Sequence, residues 1–268
     1  MSGTIRKSII VCLAALLGPS HLGGRVGPQA QPPKANVQIT ISAAASLKDA
    51  LSEIQRAFAQ LRPDIRATLN LGASGTLELQ IEHGAPVDLF LSAATEQMDA
   101  LEAKNLLLPE TRVNLLQNEL VLIAPRDSSR IEKFTDLAQP DIRVVAMGDP
   151  RSVPAGAYAE QALTSLGIYD TVRRKAVLAT DVRQVLADVE TASADAGLVY
   201  ATDAATSSRV RVVATAPPGS HQPIVYPAAV LRDSSAPKAA EDFEEFLRSG
   251  AARAIFVKFG FRPAASAG

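Results

Sequence analysis

One stretch constrains the fold more than any other: Ile39-Thr40-Ile41-Ser42-Ala43-Ala44-Ala45-Ser46-Leu47-Lys48-Asp49-Ala50, a short apolar run that turns into a helical pattern at a serine. Ile39 and Ile41 alternate with polar neighbours at the period of a strand, while Leu47, Leu51, Ile54 and Phe58 recur at the spacing of a helix with one buried face. A strand that feeds straight into an amphipathic helix is the building unit of α/β architecture. Ser46 falls at the helix N-cap, with Asp49 three residues on as the partner of a capping box. The position also has a second reading. A helix N-terminus presents unpaired backbone N–H groups and a partial positive charge, so a turn of small residues there is a seat for an anion.

The same pattern continues down the chain. A strand over 66–71 leads into Gly72-Ala73-Ser74-Gly75-Thr76 and a helix over 76–82, and then come a strand over 87–92 and a helix over 96–103. Past Asn118 the long apolar run 119–125 opens a second set of elements: a short helix over 134–138, a strand over 144–147, and a helix entered at Pro154, whose missing N–H is not needed in a first turn. A strand over 176–178, a helix capped by Thr180 or Asp181, and strands over 196–200 and 210–214 follow. After Pro217-Pro218-Gly219 the chain returns as a strand over 224–231 and terminal helices within 242–259. The pattern predicts an α/β protein of two lobes, each a mainly parallel sheet flanked by helices. Residues 36–117 with 222–268 form the first lobe and 118–221 the second. A chain of 268 residues with 47% hydrophobic content can bury two such cores.

Residues 1–35 read as a signal peptide and linker. Arg6 and Lys7 precede an apolar run over 9–17, and a stretch rich in Gly, Pro and Gln follows. The run is shorter than the ~20 residues that span a bilayer, so it directs export to the periplasm and does not anchor the chain. Cys12, the single cysteine, lies inside the run without the Leu-Ala-Gly pattern that precedes a lipidated cysteine, which leaves the exported chain with no thiol, disulfide or thiolate metal site. An aromatic content of 4% and the absence of a basic stripe argue against nucleic-acid binding.

Four segments share one design: Ala45-Ser46-Leu47, Ala73-Ser74-Gly75-Thr76, Val153-Pro154-Ala155-Gly156 and Thr180-Asp181-Val182. Each puts small or uncharged residues at a helix N-terminus. Ligands of open α/β sheets bind beyond the carboxyl ends of the strands, so two lobes facing each other would gather all four around one small oxyanion held by neutral donors. Other residues carry alternatives. Tyr200, at a strand end, is either a packing residue between the lobes or a hydroxyl donor. Asp88 reads as a catalytic carboxylate or as a group that fixes loops near the cleft. A serine hydrolase built on Ser46 would need a base oriented by a third group; of the histidines, His21 leaves with the leader, His83 ends a helix before Gly84, and His221 stands alone. Iron held by Tyr200, Tyr226 and a histidine is a further option, weakened because the tyrosines are not adjacent. Lys48, Arg151 and Arg183 either steer anions to a cleft rim or are solvated helix ends.

Taken in order, six motifs resemble the periplasmic molybdate-binding proteins of ABC importers: Ala43-Ala44-Ala45-Ser46-Leu47; Gly72-Ala73-Ser74-Gly75-Thr76-Leu77; Pro86-Val87-Asp88-Leu89-Phe90-Leu91-Ser92-Ala93; Gly148-Asp149-Pro150 with Val153-Pro154-Ala155-Gly156; Asp181-Val182-Arg183; and Val199-Tyr200 with Asp203-Ala204. The resemblance runs from about Val37 to Pro263. It implies the type II periplasmic binding-protein fold, closing on molybdate or tungstate, and a non-enzymatic monomer that needs no cofactor and delivers its ligand to a membrane permease. It also implies the contacts: hydroxyls and amides of Ser46 and Ser74, amides of Ala155 and Val182, and the hydroxyl of Tyr200. The ligand chemistry agrees. Molybdate is fully deprotonated near neutral pH, so a site made only of donors fits it, whereas phosphate keeps a proton and needs an acceptor; Asp149 and Asp181 are the nearest carboxylates in the sequence. Sulfate has the same charge and shape, so only cavity size separates it, and a receptor for another such oxyanion is the alternative.

Overall fold

A computed structural model describes residues 37–264; the signal-peptide reading, with Cys12 and His21, lies outside them. The first strand, β1 (Val37–Ala44), carries on through Ala43 and Ala44 beyond the alternating Ile39 and Ile41 and ends in a 3-10 turn (Ala45–Leu47) before α1 (Lys48–Leu61). Ala50, Leu51, Ile54 and Phe58 form the buried face of α1, and the helix stops just short of Pro63, which disfavours helix at the residue before it. Then come β2 (Ile65–Gly72), α2 (Ser74–Glu82), β3 (Leu89–Leu91) and α3 (Thr95–Ala103). β4 (Val113–Gln117) has no counterpart in the sequence reading. Its Val-Asn-Leu-Leu-Gln run does not alternate cleanly, and its partners lie more than a hundred residues downstream.

The second set comprises β5 (Leu120–Pro125), β6 (Val145–Gly148), α4 (Pro154–Ser165), α5 (Tyr169–Arg173), β7 (Ala176–Ala179), α6 (Val182–Glu190), β8 (Ala196–Tyr200), α7 (Ala201–Ala204) and β9 (Val210–Thr215). The chain closes with β10 (Val225–Val230), α8 (Pro237–Arg248), α9 (Gly250–Lys258) and the two-residue β11 (Arg262–Pro263). The short helix predicted over 134–138 is a 3-10 helix. Asp181, one of the two predicted caps, holds the start of α6 by accepting from the backbone N–H groups of Arg183 and Gln184.

The strands form two sheets, in the orders β11-β4-β10-β3-β1-β2 and β7-β6-β8-β5-β9. The expectation of mainly parallel sheets needs correction, because both are mixed. β1 pairs in parallel with β2 and β3, and β6 with β7 and β8, but every pair involving β4, β5, β9, β10 or β11 is antiparallel. The reason is topological: the strands on either side of the two passages between sheets enter from the opposite end, which no local pattern reveals. The passages lie between Gln117 and Leu120 and between Thr215 and Val225, and they touch where the Asn118 N–H donates to the Ile224 carbonyl at 3.2 Å. The C-terminal helices return to the first sheet, with the Phe58 ring of α1 edge-on to Phe243 of α8 at 4.8 Å. Among the described residues no helix is long and apolar enough to cross a membrane.

Candidate functional site

The parallel strands deliver the site. β1, β2, β6 and β7 all end at one side of their sheets, and the segments that follow them meet around a single cavity lined by Ala45, Ser46, Ala73, Ser74, Val153, Pro154, Ala155, Asp181 and Val182. Tyr200, the last residue of β8, completes it. Ser46, Ser74, Ala155, Val182 and Tyr200 therefore line the same space, and each is buried. The cavity measures ≈10 Å³, about the least that holds one water-sized group. Pockets for organic ligands run to roughly 300–1,000 Å³, so this one has no room for an organic ligand. A groove of ≈550 Å³ elsewhere, lined by Arg112, Leu116, Arg248 and Phe256 among others, includes none of the residues singled out in the sequence.

Each wall offers donors. Ser74 and Val182 are the first residues of α2 and α6, and Ala155 is the second of α4, positions whose backbone N–H groups have no carbonyl within the helix to meet. The Ser74 hydroxyl accepts from the Ala93 N–H at 2.9 Å. Ser46 Oγ lies 3.0 Å from the Tyr226 hydroxyl. The Tyr200 hydroxyl is fully buried and has no hydrogen-bond partner among the described residues, a costly arrangement unless something else meets it. Burial pushes the phenols of both tyrosines well above their usual range, so both keep their protons.

Ser46 is not the helix cap that its place in the sequence indicates. The 3-10 turn holds Ser46 two residues ahead of Lys48, where α1 begins; the first turn of α1 has no side-chain cap, and the Ser46 hydroxyl is turned inward to Tyr226. Asp49 is likewise no capping partner; it takes a hydrogen bond from Arg183 at 2.8 Å across the cleft. Both nearby carboxylates already accept hydrogen bonds, Asp181 through Oδ1 alone. Asp181 holds its cap, and Asp149 turns to Arg151, whose guanidinium holds that carboxyl below its ordinary range.

The rim is closed by contacts between elements of the two sheets. The Gly75 N–H donates to the Ser152 carbonyl at 3.0 Å, so close that a Cβ on Gly75 would meet that oxygen at 2.8 Å. Arg183 reaches the Ser46 carbonyl at 3.4 Å as well as Asp49, and pairs at 2.6 Å with the fully buried Asp203. It is neither a solvated helix end nor a free steering charge. Lys48 stands at the outer edge of this region and Arg151 is mostly exposed beside Asp149.

The remaining candidates lie apart from the cavity. Asp88 ties loops together, but at the amino end of β3, away from the cleft: its carboxylate accepts from Thr40 N, Ser234 Oγ and Ser235 N. His83 caps α2 through a 2.6 Å contact with the Leu79 carbonyl, and His221 packs on the Tyr158 ring. Among the described residues no histidine lines the cavity, so none stands beside Ser46 as a base. Tyr200 and Tyr226 do touch, ring centroids 5.8 Å apart, and among the described residues no group of three or more His, Cys, Asp or Glu is placed to hold a metal. The sequence reading missed the tie of Ser46 to Tyr226, whose only signal is the strand alternation that places Tyr226 on an inner face.

The family model of the bacterial extracellular solute-binding proteins matches residues 39–262. Over 233 residues the chain is 39% identical to the molybdate-binding protein ModA of Haemophilus influenzae, covering 85% of this chain and 91% of that one. The chain belongs to the ModA family of solute-binding proteins. ModA of Escherichia coli is also 39% identical, over 84% of this chain and 88% of its own. The periplasmic molybdate-binding protein of Azotobacter vinelandii superposes with a TM-score of 0.76 over 85% of this chain and all of that structure, at 24% identity. The fold is thus the two-lobed type II arrangement of the family's receptors, with the cavity in the cleft.

Proposed function

We propose that this protein captures molybdate or tungstate as the intact oxyanion in the cleft cavity and delivers it to the permease of an ABC importer. One observation carries the reading: a small cavity on which helix N-termini and two serine hydroxyls converge, and in which the Tyr200 hydroxyl has no partner among the described residues. Ser46 and Ser74 supply hydroxyls and amides, Ala155 and Val182 supply amides, and Tyr200 supplies its phenol. A tetrahedral dianion has only acceptors to offer and satisfies all of them. The relatives named as molybdate-binding proteins support the choice of ion.

On this reading residues 36–117 with 222–268 and residues 118–221 are lobes that close on the ion, and closure completes the cage because neither lobe holds all five residues. The protein is a periplasmic monomer exported by its signal peptide. It binds and does not turn over, takes no cofactor, and has no nucleic-acid partner.

Titration calorimetry of ligand-stripped protein with molybdate, tungstate, sulfate and phosphate tests this. Tight one-to-one binding of the first two, with sulfate at least about a hundredfold weaker, is the expected result. Heat from sulfate alone would keep the cavity and replace the ion, since sulfate differs only in size.

A further inference from the structure

The two serines of the cavity are alike in one respect that their sequence context hides: each hydroxyl oxygen has a polar neighbour fixed by the protein. For Ser74 it is the Ala93 N–H, which can only donate. For Ser46 it is the Tyr226 hydroxyl, and on distance alone either oxygen of that pair is able to donate. The next residue decides between them. The Asn118 Nδ2 amide lies 3.2 Å from the Tyr226 oxygen and 2.8 Å from Thr202 Oγ1, while Asn118 Oδ1 accepts from the Glu119 N–H at 2.9 Å. That last bond fixes which end of the side-chain amide faces Tyr226, and an amide nitrogen has protons to give and no lone pair to accept with. Among the described residues the Tyr226 hydroxyl has these two hydrogen-bond neighbours, Asn118 and Ser46. It takes a proton contact from the first and has its single proton to give to the second.

We propose that Asn118 and Tyr226 form a donor relay that fixes Ser46, as Ala93 fixes Ser74, with its proton directed into the cavity, and that Tyr226 is thereby a specificity-determining residue for anions carrying no proton. It is a positioning residue and acts through Ser46. The inference rests on the reading of the cavity as the seat of a tetrahedral oxyanion. A dianion such as molybdate or sulfate meets two hydroxyls already turned to donate. A hydrogen phosphate or hydrogen arsenate brings a proton that needs an acceptor; each serine already has one of its two lone pairs engaged, Asp149 is taken up by Arg151, and Asp181 Oδ1 by the α6 cap. The relay sits where the two passages between the sheets meet, Asn118 on one and Tyr226 just beyond the other, so the polarity of Ser46 is built into the hinge region, independent of the rim contacts.

The test compares anions that share a charge with anions that share a proton. Molybdate, sulfate and hydrogen phosphate are titrated calorimetrically, at one near-neutral pH, into the wild type, Tyr226→Phe and Asn118→Leu. In Tyr226→Phe the Ser46 oxygen regains a second free lone pair. Molybdate and sulfate are expected to weaken together, by about tenfold, the worth of one hydrogen bond to a charged group. Hydrogen phosphate does not weaken, so the molybdate-to-phosphate ratio narrows about tenfold while the molybdate-to-sulfate ratio holds. Asn118→Leu keeps the phenol, removes the donor that polarises it, and narrows the same ratio; it carries the comparison alone if Tyr226→Phe does not fold. Equal losses for all three anions, which a merely structural role would produce, or unchanged ratios in both variants, overturn the relay while leaving the receptor intact. A wild type that binds none of the dianions overturns the receptor reading and the relay with it.

Discussion

The two walls of the cavity are made of different parts of the amino acid. On the side of the six-stranded sheet side chains add to the amides: the Ser46 and Ser74 hydroxyls, each held by a partner from its own sheet, Tyr226 of β10 and Ala93 beyond β3. On the side of the five-stranded sheet Ala155 and Val182 offer only backbone N–H groups, aimed by α4 and α6, and Tyr200 is the single side-chain donor. The difference sets how each wall is broken. The first is editable residue by residue. The second keeps its donors whatever side chains it carries, and is vulnerable only where the position of a helix is fixed.

That position is fixed for α4 by a glycine. A Cβ on Gly156 would lie 2.1 Å from the Gly148 carbonyl oxygen and 2.6 Å from its carbon, so α4 sits against β6 only because Gly156 has no side chain. Gly156→Val forces the start of α4 outward and carries the Ala155 N–H with it. The largest loss is expected here: molybdate binding more than about a hundredfold weaker, with ~1–3 kcal/mol of stability lost to overpacking. Ala155→Gly sharpens the contrast, since it keeps the amide and costs only ~1 kcal/mol of helix propensity; affinity within about fivefold of wild type is expected. Calorimetry and thermal unfolding of both variants read the comparison, and a harmless Gly156→Val would show that the backbone wall is not held as described.

On the side-chain wall, Ser74→Ala removes one hydroxyl donor to a charged group, worth about 1.5–3 kcal/mol, or roughly one to two decades in Kd for molybdate. It also leaves the buried Ala93 N–H unpaired, so the unfolding midpoint falls as well. Unchanged affinity in this variant would count against the site.

A smaller effect concerns Arg183 and Asp203, which brace the cleft from behind. Burial raises the Asp203 carboxyl from 3.8 to about 7 in spite of Arg183. Between those values the folded state holds a proton that the unfolded state has released. The stability this adds is full below the unfolded value and is lost as pH rises through the folded one. Asp203→Asn, which cannot ionise, removes that dependence. The stability difference between wild type and variant is therefore expected to turn against the wild type as pH rises toward neutrality, measured by denaturant unfolding across that range. A difference that is flat with pH would mean that Arg183 keeps Asp203 ionised throughout.

Much of this was legible in the sequence because the site is built from local events. A strand end, a run of small residues and the start of a helix recur at Ser46, Ser74, Ala155 and Val182, and each is visible within about ten residues. What could not be read depends on residues distant in the chain. Ser46 looks like a cap until Tyr226, 180 residues away, is seen to engage its hydroxyl. Arg183 looks solvated until Asp49 and Asp203 meet it from two different elements. β4 and the antiparallel half of each sheet follow from which strands the chain returns to, and the pattern within a strand is the same whichever way its neighbour runs.

The smallest expected effect belongs to the rim, where the two walls meet through charge. Asp49 and Arg183 are 2.8 Å apart, but their side chains stay 39% and 22% exposed, so water and salt screen the pair. Ion pairs of this kind contribute about 0.2–1 kcal/mol, and since this one joins elements of the two sheets, its worth is spent on closure. Asp49→Asn is therefore expected to weaken molybdate binding less than about fivefold, through faster release, with the difference from wild type shrinking as salt is raised. Stopped-flow release rates at low and high ionic strength measure it. A loss that persists at high salt would mean that the Asp49 carboxylate matters by positioning Arg183 on the Ser46 carbonyl, and the rim would then belong with the side-chain wall.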